Sequence, residues 1–217
     1  MSRDGAQTLL PVPGDVLVAD VLVAVDEEAF GDLCRDLADE IGSVVGRVPD
    51  VVVGIAQGGS YVADQVCEAM PAARRFDVSV RRPGTEMKEA LHLRPLLSRL
   101  PGALKDLLRV AEVRYREAAW HARRRRAVGP ARSAELAGVL RSHEAVLRGA
   151  GDVVIVDDTI DSGRTMSTVR DEIRRVSPGT RVWTAAITST WRRPPVVPDV
   201  VLRDRVLMRF PWSHDAG

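Results

Sequence analysis

The chain has 217 residues and a formal net charge of +1, with 45% hydrophobic and 28% charged residues, which is typical of one globular domain with a well-buried core. It has no apolar run of the roughly 18 to 20 residues that a membrane-spanning helix needs, and its N-terminus lacks the regions of a signal peptide, so we expect a cytoplasmic protein without membrane contact. The two cysteines and four histidines do not follow a zinc-ligand spacing, so a zinc site has no support.

The small net charge conceals an asymmetry along the chain. Residues 81–150 contain 16 Lys and Arg against 7 Asp and Glu, whereas the remainder contains 15 against 23. A basic middle segment on an acidic scaffold indicates an anionic ligand, an acidic partner surface or nucleic acid.

The first part of the chain predicts two strands, each followed by a helix. Val16–Val25 predicts an entry or edge strand, and Asp26–Val45 predicts an amphipathic helix whose N-cap is its first residue. Val51–Ala56 is a continuous apolar run of the kind that is buried on both faces of a parallel sheet. A Gln-Gly-Gly-Ser loop at residues 57–60 follows, and then a helix over Tyr61–Met70. The two glycines would let backbone N–H groups approach an anion closely.

The remaining elements continue the alternation. Arg75–Arg81 predicts a strand, as do Val182–Thr188 and Asp199–Arg203. Residues 85–148 show no strand pattern and predict a helical excursion, with a second helix over Ser133–Leu147. The apolar stripe of its first helix consists of Leu104, Leu107, Leu108, Ala111, Tyr115, Ala118 and Ala122. Strands that alternate with helices predict an α/β fold with a mostly parallel central sheet and helices on both faces.

The residues with the clearest chemistry lie at 153–168, VVIVDDTIDSGRTMST. An apolar strand ends in two adjacent carboxylates, Asp157 and Asp158, and a turn over Asp161–Thr165 leads into an amphipathic helix, Met166–Val176. Paired carboxylates can accept hydrogen bonds from vicinal hydroxyls, and a turn at a helix N-terminus can hold a phosphate. The stretch therefore predicts a sugar-phosphate site, although two acids after a strand also occur by chance, with one of them capping the next helix.

This stretch resembles the phosphoribosyl pyrophosphate (PRPP) signature of the type I phosphoribosyltransferases, which is an apolar strand, two acids and a D-[ST]-G-x-T loop. Gly54–Gly59 is similar to the pyrophosphate loop of that family, and Phe210–Trp212 resembles the segment after the base-covering hood in its purine branch. The resemblance implies the type I phosphoribosyltransferase fold. It implies one domain over residues 1–217, with a basic helical insertion or lid at 82–150 and a C-terminal hood at 189–217.

The resemblance also implies a reaction, in which the 5-phosphoribosyl group of PRPP passes to a small acceptor and pyrophosphate leaves. Asp161 is implied as the catalytic general base. Asp157 and Asp158 are implied as acceptors of the ribose hydroxyls, directly or through Mg²⁺, with or without an intervening water. The residues implied for the ribose and the 5-phosphate are Asp157, Asp158, Thr159, Asp161, Ser162, Gly163, Arg164 and Thr165. Those implied for the pyrophosphate are Gln57, Gly58, Gly59, Arg81 and Arg82.

The acceptor residues depart from the purine pattern. Oxopurine enzymes of this family carry a lysine after the strand that follows the PRPP helix, where this chain has Ser189 and Thr190. The base-stacking aromatic residue expected before Phe-Pro-Trp is replaced by Leu207 or Met208. The sequence therefore disfavours hypoxanthine or guanine and leaves a different nucleobase or related heterocycle as the acceptor. The residues considered for its binding are Trp191, Leu207 and Trp212.

Alternatives stay open for the middle segment and for the function. The basic segment could be a lid over PRPP, a dimer arm or an acceptor-specificity module, and a homodimer is expected because dimers are common in the family. A second possible function is a regulatory protein that binds PRPP or a nucleotide and contacts nucleic acid through this segment. A third is a hydrolase or phosphorylase with the same PRPP loop.

Overall fold

The computed structural model describes residues 22–80, 102–122 and 130–213. The strands are β1 Leu22–Ala24, β2 Val51–Ile55, β3 Arg74–Val78, β4 Asp152–Ile160, β5 Arg181–Ser189, β6 Val200–Asp204 and β7 Leu207–Arg209. The helices are α1 Glu27–Val45, α2 Gly58–Ala69, α3 Gly102–Ala122, α4 Pro130–Ser142, α5 Glu144–Arg148 and α6 Arg164–Val176. Within these ranges, no helix combines the length and the hydropathy that crossing a membrane would require.

Five parallel strands form the central sheet, in the order β3-β2-β4-β5-β6. The neighbours β2 and β4 pair in register from Val51 with Val153 to Gly54 with Val156. After β2 the chain passes through α2 to β3 on one side, and after β4 it passes through α6 to β5 on the other. Loops that diverge from two adjacent parallel strands leave a crevice at the carboxyl ends of the strands. The predicted fold class, a mostly parallel α/β sheet, is confirmed.

Helices cover both faces of this sheet. Along β4, Val154 packs into one hydrophobic cluster and its neighbour Ile155 into the other, as side chains alternate along a strand. The first cluster includes Leu37 of α1 and Val62 of α2. The second includes residues of the three other helices next to the sheet, namely Leu140, Leu147 and Ile173. Burial on both faces explains why β2 and β4 are continuous apolar runs in the sequence.

The first helix begins with the predicted N-cap and ends at a glycine C-cap. The Asp26 carboxylate accepts a hydrogen bond from the Ala29 backbone N–H at 2.8 Å, and this satisfies one of the N–H groups that a helix start leaves without a partner. Gly46 closes the helix in the left-handed conformation, at φ 81°, and its N–H donates to the Gly42 carbonyl. The amphipathic helix predicted here is confirmed.

The structure differs from the predicted elements at several boundaries, of which two helices and one strand matter most. Helix α2 begins at Gly58, so the two loop glycines form its N-terminus. The helix predicted over Ser133–Leu147 is divided at His143, whose ring stacks on Phe76 at 4.1 Å between centroids. Strand β7 was not predicted, because it is three residues long and pairs with β1 in a separate two-stranded sheet. That small sheet joins the C-terminal segment to the start of the domain.

Helix α3 turns a different face inward from the one that its apolar stripe suggested. Leu108 and Tyr115 of the stripe are 45% and 69% exposed, whereas Val113 is 7% exposed. The buried face packs against Trp191 and Leu207 in a small cluster of its own. Since the stripe and the buried face lie on different sides of the helix, only the packing partner determines which side is covered.

A buried carboxylate joins three elements at the amino ends of the strands. Asp152 accepts hydrogen bonds from Arg47 Nε at 2.7 Å, Arg181 Nη2 at 2.6 Å and Trp183 Nε1 at 2.9 Å. Burial raises the pKa of Asp152, but the hydrogen bonds from Arg181, Trp183 and Arg47 outweigh it, so the pKa lies below its ordinary value. This cluster lies at the edge of the sheet opposite the crevice, so it stabilises the fold without taking part in the site.

We expect Asp152→Asn to lower the free energy of unfolding at pH 7 by about 2 kcal/mol, because two charged hydrogen bonds to a buried carboxylate are lost. The pKa of Asp152 is lower in the folded state than the unfolded value of about 3.9. Its stabilisation is therefore complete above about pH 4 and is lost as the pH falls through the folded-state pKa. Urea unfolding between pH 7 and pH 2 should thus show a steeper acid loss for the unmodified protein than for the variant.

The matched control is Asp32→Asn, which breaks an ion pair with Arg35 in which both side chains are more than 60% exposed. Exposed pairs contribute little, so this variant should keep the stability of the unmodified protein. Acid curves for Asp152→Asn that superimpose on those of the unmodified protein would contradict the prediction.

Candidate functional site

The two acids predicted to bind a sugar lie at the carboxyl end of β4, next to the end of β2. Asp157 is buried and its Oδ1 accepts a hydrogen bond from the Asp158 N–H at 3.0 Å. Asp158 Oδ1 in turn accepts from the Thr159 N–H at 2.6 Å. Each carboxylate is thus held by the backbone of the following residue, which orients both at the crevice between the diverging loops.

The glycine loop after β2 packs directly against these carboxylates. A Cβ atom at Gly58 would overlap the Asp158 carboxylate, and one at Gly59 would lie 2.6 Å from the Val156 carbonyl oxygen and 3.1 Å from the Asp157 Cα. The 2.6 Å distance to a backbone oxygen is closer than real Cβ contacts, so position 59 needs glycine, and a side chain at position 58 would displace the Asp158 carboxylate. The Ala56–Gln57 peptide bond of this loop is cis. Residues that the sequence assigned to two separate loops therefore form one continuous surface.

The loop between β4 and α6 has the form expected of a phosphate site. Gly163 stands before the first turn of α6 with φ 68°, and a Cβ there would collide with the Val196 carbonyl. Ser162 Oγ lies 3.5 Å from the Arg164 N–H. Thr165 follows in the first turn, where the N–H groups have no partner within the helix and carry the positive end of its dipole. An anion at this loop would be stabilised by those groups.

Asp161 lies between the end of β5 and helix α3. Its Oδ1 accepts a hydrogen bond from Thr190 Oγ1 at 2.5 Å. Its Oδ2 accepts from Arg116 Nη1 at 3.1 Å. The side chain of the residue predicted as general base is therefore held in place by a hydroxyl on one oxygen and a guanidinium on the other.

Helix α3 lies beside Asp161 and the segment after β5. Glu117 accepts a hydrogen bond from the Arg193 backbone N–H at 2.9 Å, and the Arg164 guanidinium lies 4.9 Å from the centre of the Trp120 ring. The Trp120 and Trp191 rings are 6.1 Å apart. Through Arg116, Glu117 and Trp120, α3 contacts the loop Asp161–Thr165 and the segment after β5. None of these three residues was predicted, because no local motif marks them and their partners lie far along the chain.

The predicted acceptor residues fall into two groups. Trp191 and Leu207 are buried together under α3. Trp212 lies elsewhere, stacked on Tyr61 with 4.6 Å between ring centroids and donating from Nε1 to Asp158 Oδ2 at 3.3 Å. Trp212 is therefore next to the acid pair, whereas the other two are buried beneath α3.

Two predicted pyrophosphate contacts, Arg81 and Arg82, and the arginine run at 123–126 lie outside the described residues. Among the residues that are described, no group of three or more His, Cys, Asp or Glu side chains could hold a metal ion by itself. The adjacent carboxylates of Asp157 and Asp158 could contribute oxygen ligands to a metal ion at the crevice.

The phosphoribosyl transferase domain family matches residues 24–195, a span that includes the glycine loop, the acid pair and the loop before α6. No curated protein sequence matches the chain.

Solved structures with a similar fold cover most of the chain. The xanthine-guanine-hypoxanthine phosphoribosyltransferase of Helicobacter pylori has 12% identity and a TM-score of 0.55, over 90% of this chain and 95% of its own. The purine phosphoribosyltransferase of Pyrococcus horikoshii Ot3 has 18% identity and a TM-score of 0.53, over 89% and 95%. A hypothetical protein of Neisseria gonorrhoeae with bound ppGpp has 15% identity and a TM-score of 0.53, over 90% and 91%.

At sequence identities of 12–18%, the similar structures establish the fold. The family match establishes the family to which the chain belongs. The predicted fold and the predicted family are both confirmed. The chain belongs to the phosphoribosyltransferase domain family, and its general activity is phosphoribosyl transfer.

Proposed function

We propose that the protein transfers the 5-phosphoribosyl group from PRPP to a small acceptor, a nucleobase or related heterocycle, with release of pyrophosphate. The observation that carries this proposal is the contact of Gly58 and Gly59 with the pair Asp157 and Asp158. PRPP has its pyrophosphate on the carbon next to the ribose hydroxyls, so its site must combine a diphosphate loop with hydroxyl acceptors. This juxtaposition meets that requirement.

The donor roles follow from the chemistry of each group. Asp157 and Asp158 would accept hydrogen bonds from the ribose 2- and 3-hydroxyls. The loop Asp161–Thr165 would hold the 5-phosphate through its N–H groups and hydroxyls, with the Arg164 guanidinium close to it. The residues proposed for the pyrophosphate are Gln57, Gly58 and Gly59, with Arg81 and Arg82.

The acid pair fits Mg²⁺ as a cofactor. Mg²⁺ prefers hard oxygen ligands and is bound through one or two carboxylates together with substrate phosphates and water, and Asp157 and Asp158 provide two adjacent carboxylates. When bound, Mg²⁺ supplies positive charge that stabilises the departing pyrophosphate.

In the proposed reaction, the acceptor nitrogen uses its lone pair to form a bond to ribose C1 while the C1–O bond to pyrophosphate breaks. Pyrophosphate leaves with that electron pair, and the proton of the nitrogen passes to the Asp161 carboxylate. Asp157 and Asp158 stabilise the positive charge that develops on the sugar. Since Arg116 occupies Asp161 Oδ2, it must move from that oxygen, or share it, before Asp161 can accept the proton.

The test is pyrophosphate release from PRPP in the presence of Mg²⁺ and a panel of nitrogen heterocycles, with PRPP binding measured in parallel by calorimetry. We expect acceptor-dependent release that stops when the Mg²⁺ is removed by a chelator. Binding of PRPP without release from any acceptor would contradict transfer and favour the regulatory alternative.

The homodimer and the cytoplasmic location expected from the sequence stay predictions. Analytical ultracentrifugation tests the first, and the second is tested by fractionation of cells that express the protein.

A further inference from the structure

The acceptor side of the site contains a cation that no sequence motif predicts. Arg116 Nη1 lies 3.1 Å from Asp161 Oδ2, and Arg116 Nε lies 3.8 Å from Glu112 Oε1 on the same helix. The Arg116 side chain is 44% exposed and that of Asp161 is 22% exposed. The guanidinium is thus both accessible and in contact with the carboxylate that is proposed to receive the proton of the acceptor.

The hydrogen-bond partners of the two Asp161 oxygens differ in how easily they can be displaced. Thr190, on Oδ1, is almost fully buried, and its backbone N–H donates to the Ile160 carbonyl at 2.9 Å. Arg116, on Oδ2, reaches Asp161 from a flexible and partly exposed side chain. An acceptor N–H that approaches Asp161 must therefore enter at Oδ2 and displace or share the guanidinium there.

We propose that the acceptor carries an anionic group, a carboxylate or its equivalent, close to its nucleophilic nitrogen, and that Arg116 binds this group while Asp161 accepts from the nitrogen. This inference rests on the proposed phosphoribosyl transfer and names its substrate class. With an acidic acceptor, the guanidinium exchanges the Asp161 carboxylate for that of the acceptor. Asp161 is then free to accept the proton of the nitrogen, and it becomes neutral when it does so. With a neutral acceptor, the Arg116 guanidinium and the acceptor N–H would compete for the same oxygen of Asp161. This competition costs most where water is excluded.

The neighbouring wall has hydrogen-bonding capacity that the described residues do not satisfy. Ser189 Oγ and Trp191 Nε1 are buried atoms without a partner there, in residues that are 2% and 4% exposed. They flank Thr190 in the chain, and Ser189 is one of the two positions where an oxopurine enzyme would be expected to carry its carbonyl-binding lysine. A buried polar group without a partner is costly, so an acceptor that reached these two atoms would gain hydrogen bonds there.

The experiment compares matched pairs of N–H heterocycles that differ by one carboxylate: uracil with uracil-6-carboxylate, and imidazole with imidazole-4-carboxylate. Binding to the full chain with PRPP and Mg²⁺ is measured by calorimetry, and pyrophosphate release gives kcat and KM. We expect at least one acid to bind about tenfold or more tightly than its neutral partner. Arg116→Gln should reduce this preference to within about threefold, chiefly through KM, and Arg116→Lys should restore part of it.

The matched control is Arg148→Gln, which removes the same charge from an exposed ion pair with Glu144 on α5. Because this pair lies outside the residues assigned to the site, the variant should retain the preference for the acid. The inference would be overturned if the neutral compound of every pair bound as tightly as its acid. It would also be overturned if Arg116→Gln left the preference for the acid intact, and in both cases phosphoribosyl transfer would stand. A protein that does not bind PRPP at all would overturn the proposed function, and this inference with it.

Discussion

Replacement of Asp158 by asparagine is expected to lower kcat/KM for PRPP about 100- to 1000-fold. The amide has almost the same shape as the carboxylate but has no negative charge to stabilise the cationic sugar and accepts hydrogen bonds at only one atom. The amide oxygen can retain the hydrogen bond from the Thr159 N–H, whereas the weaker one from Trp212 Nε1 is lost. Steady-state pyrophosphate release, with circular dichroism to check the fold, measures the effect.

The loss should appear mainly in kcat, because the charge on the sugar develops on the way to the transition state. Asp157→Asn should have a similar effect with some additional loss of stability, since Asp157 is buried. Asp171→Asn, an exposed acid later on α6, is the control and should leave the kinetics unchanged. An Asp158→Asn variant with a kcat close to that of the unmodified protein would remove the proposed role of this carboxylate.

Gly59→Ala is expected to weaken PRPP binding by about 100-fold or more and to suppress pyrophosphate release. The added methyl group would lie 2.6 Å from the Val156 carbonyl oxygen, which is backbone and cannot rotate away. The start of α2 would have to move from the acid pair, and overpacking of this kind costs about 1–3 kcal/mol. Calorimetric titration with PRPP and Mg²⁺ measures the binding, and thermal unfolding measures the stability.

The control for this substitution is Gly179→Ala, where a Cβ atom would meet nothing within 4 Å. That variant should bind PRPP normally and should be as stable as the unmodified protein or slightly more so. If Gly59→Ala remains folded and retains the affinity of the unmodified protein for PRPP, the glycine loop is not the pyrophosphate site.

Local patterns were sufficient for most of the fold. The N-cap at Asp26 and the apolar runs of β2 and β4 each depend on residues close together in the chain, which is why the sequence predicted them. Strand β7 was missed because its pairing with β1 joins Leu207 to Leu22, at opposite ends of the chain. The break in the second insertion helix was missed because His143 stacks on Phe76 of a distant strand.

The donor half of the site was predictable for the same reason. The acids Asp157 and Asp158 and the loop Asp161–Thr165 lie within nine consecutive residues, so their spacing alone defines a recognisable phosphate-binding motif. The glycine loop is a second short motif, and the parallel order of β2 and β4 then requires the two loops to be neighbours.

The acceptor half was decided by the tertiary structure. Arg116 meets Asp161 across 45 residues of sequence, and Trp212 meets Asp158 across 54, and no local spacing encodes such contacts. The face that α3 turns inward depends on Trp191 and Leu207, which come much later in the chain. The sequence by itself predicted a PRPP-like site and a phosphoribosyltransferase family, and the family match confirms the second. Only the tertiary structure showed that α3 packs beside Asp161, because long-range packing rather than local propensity positions that helix.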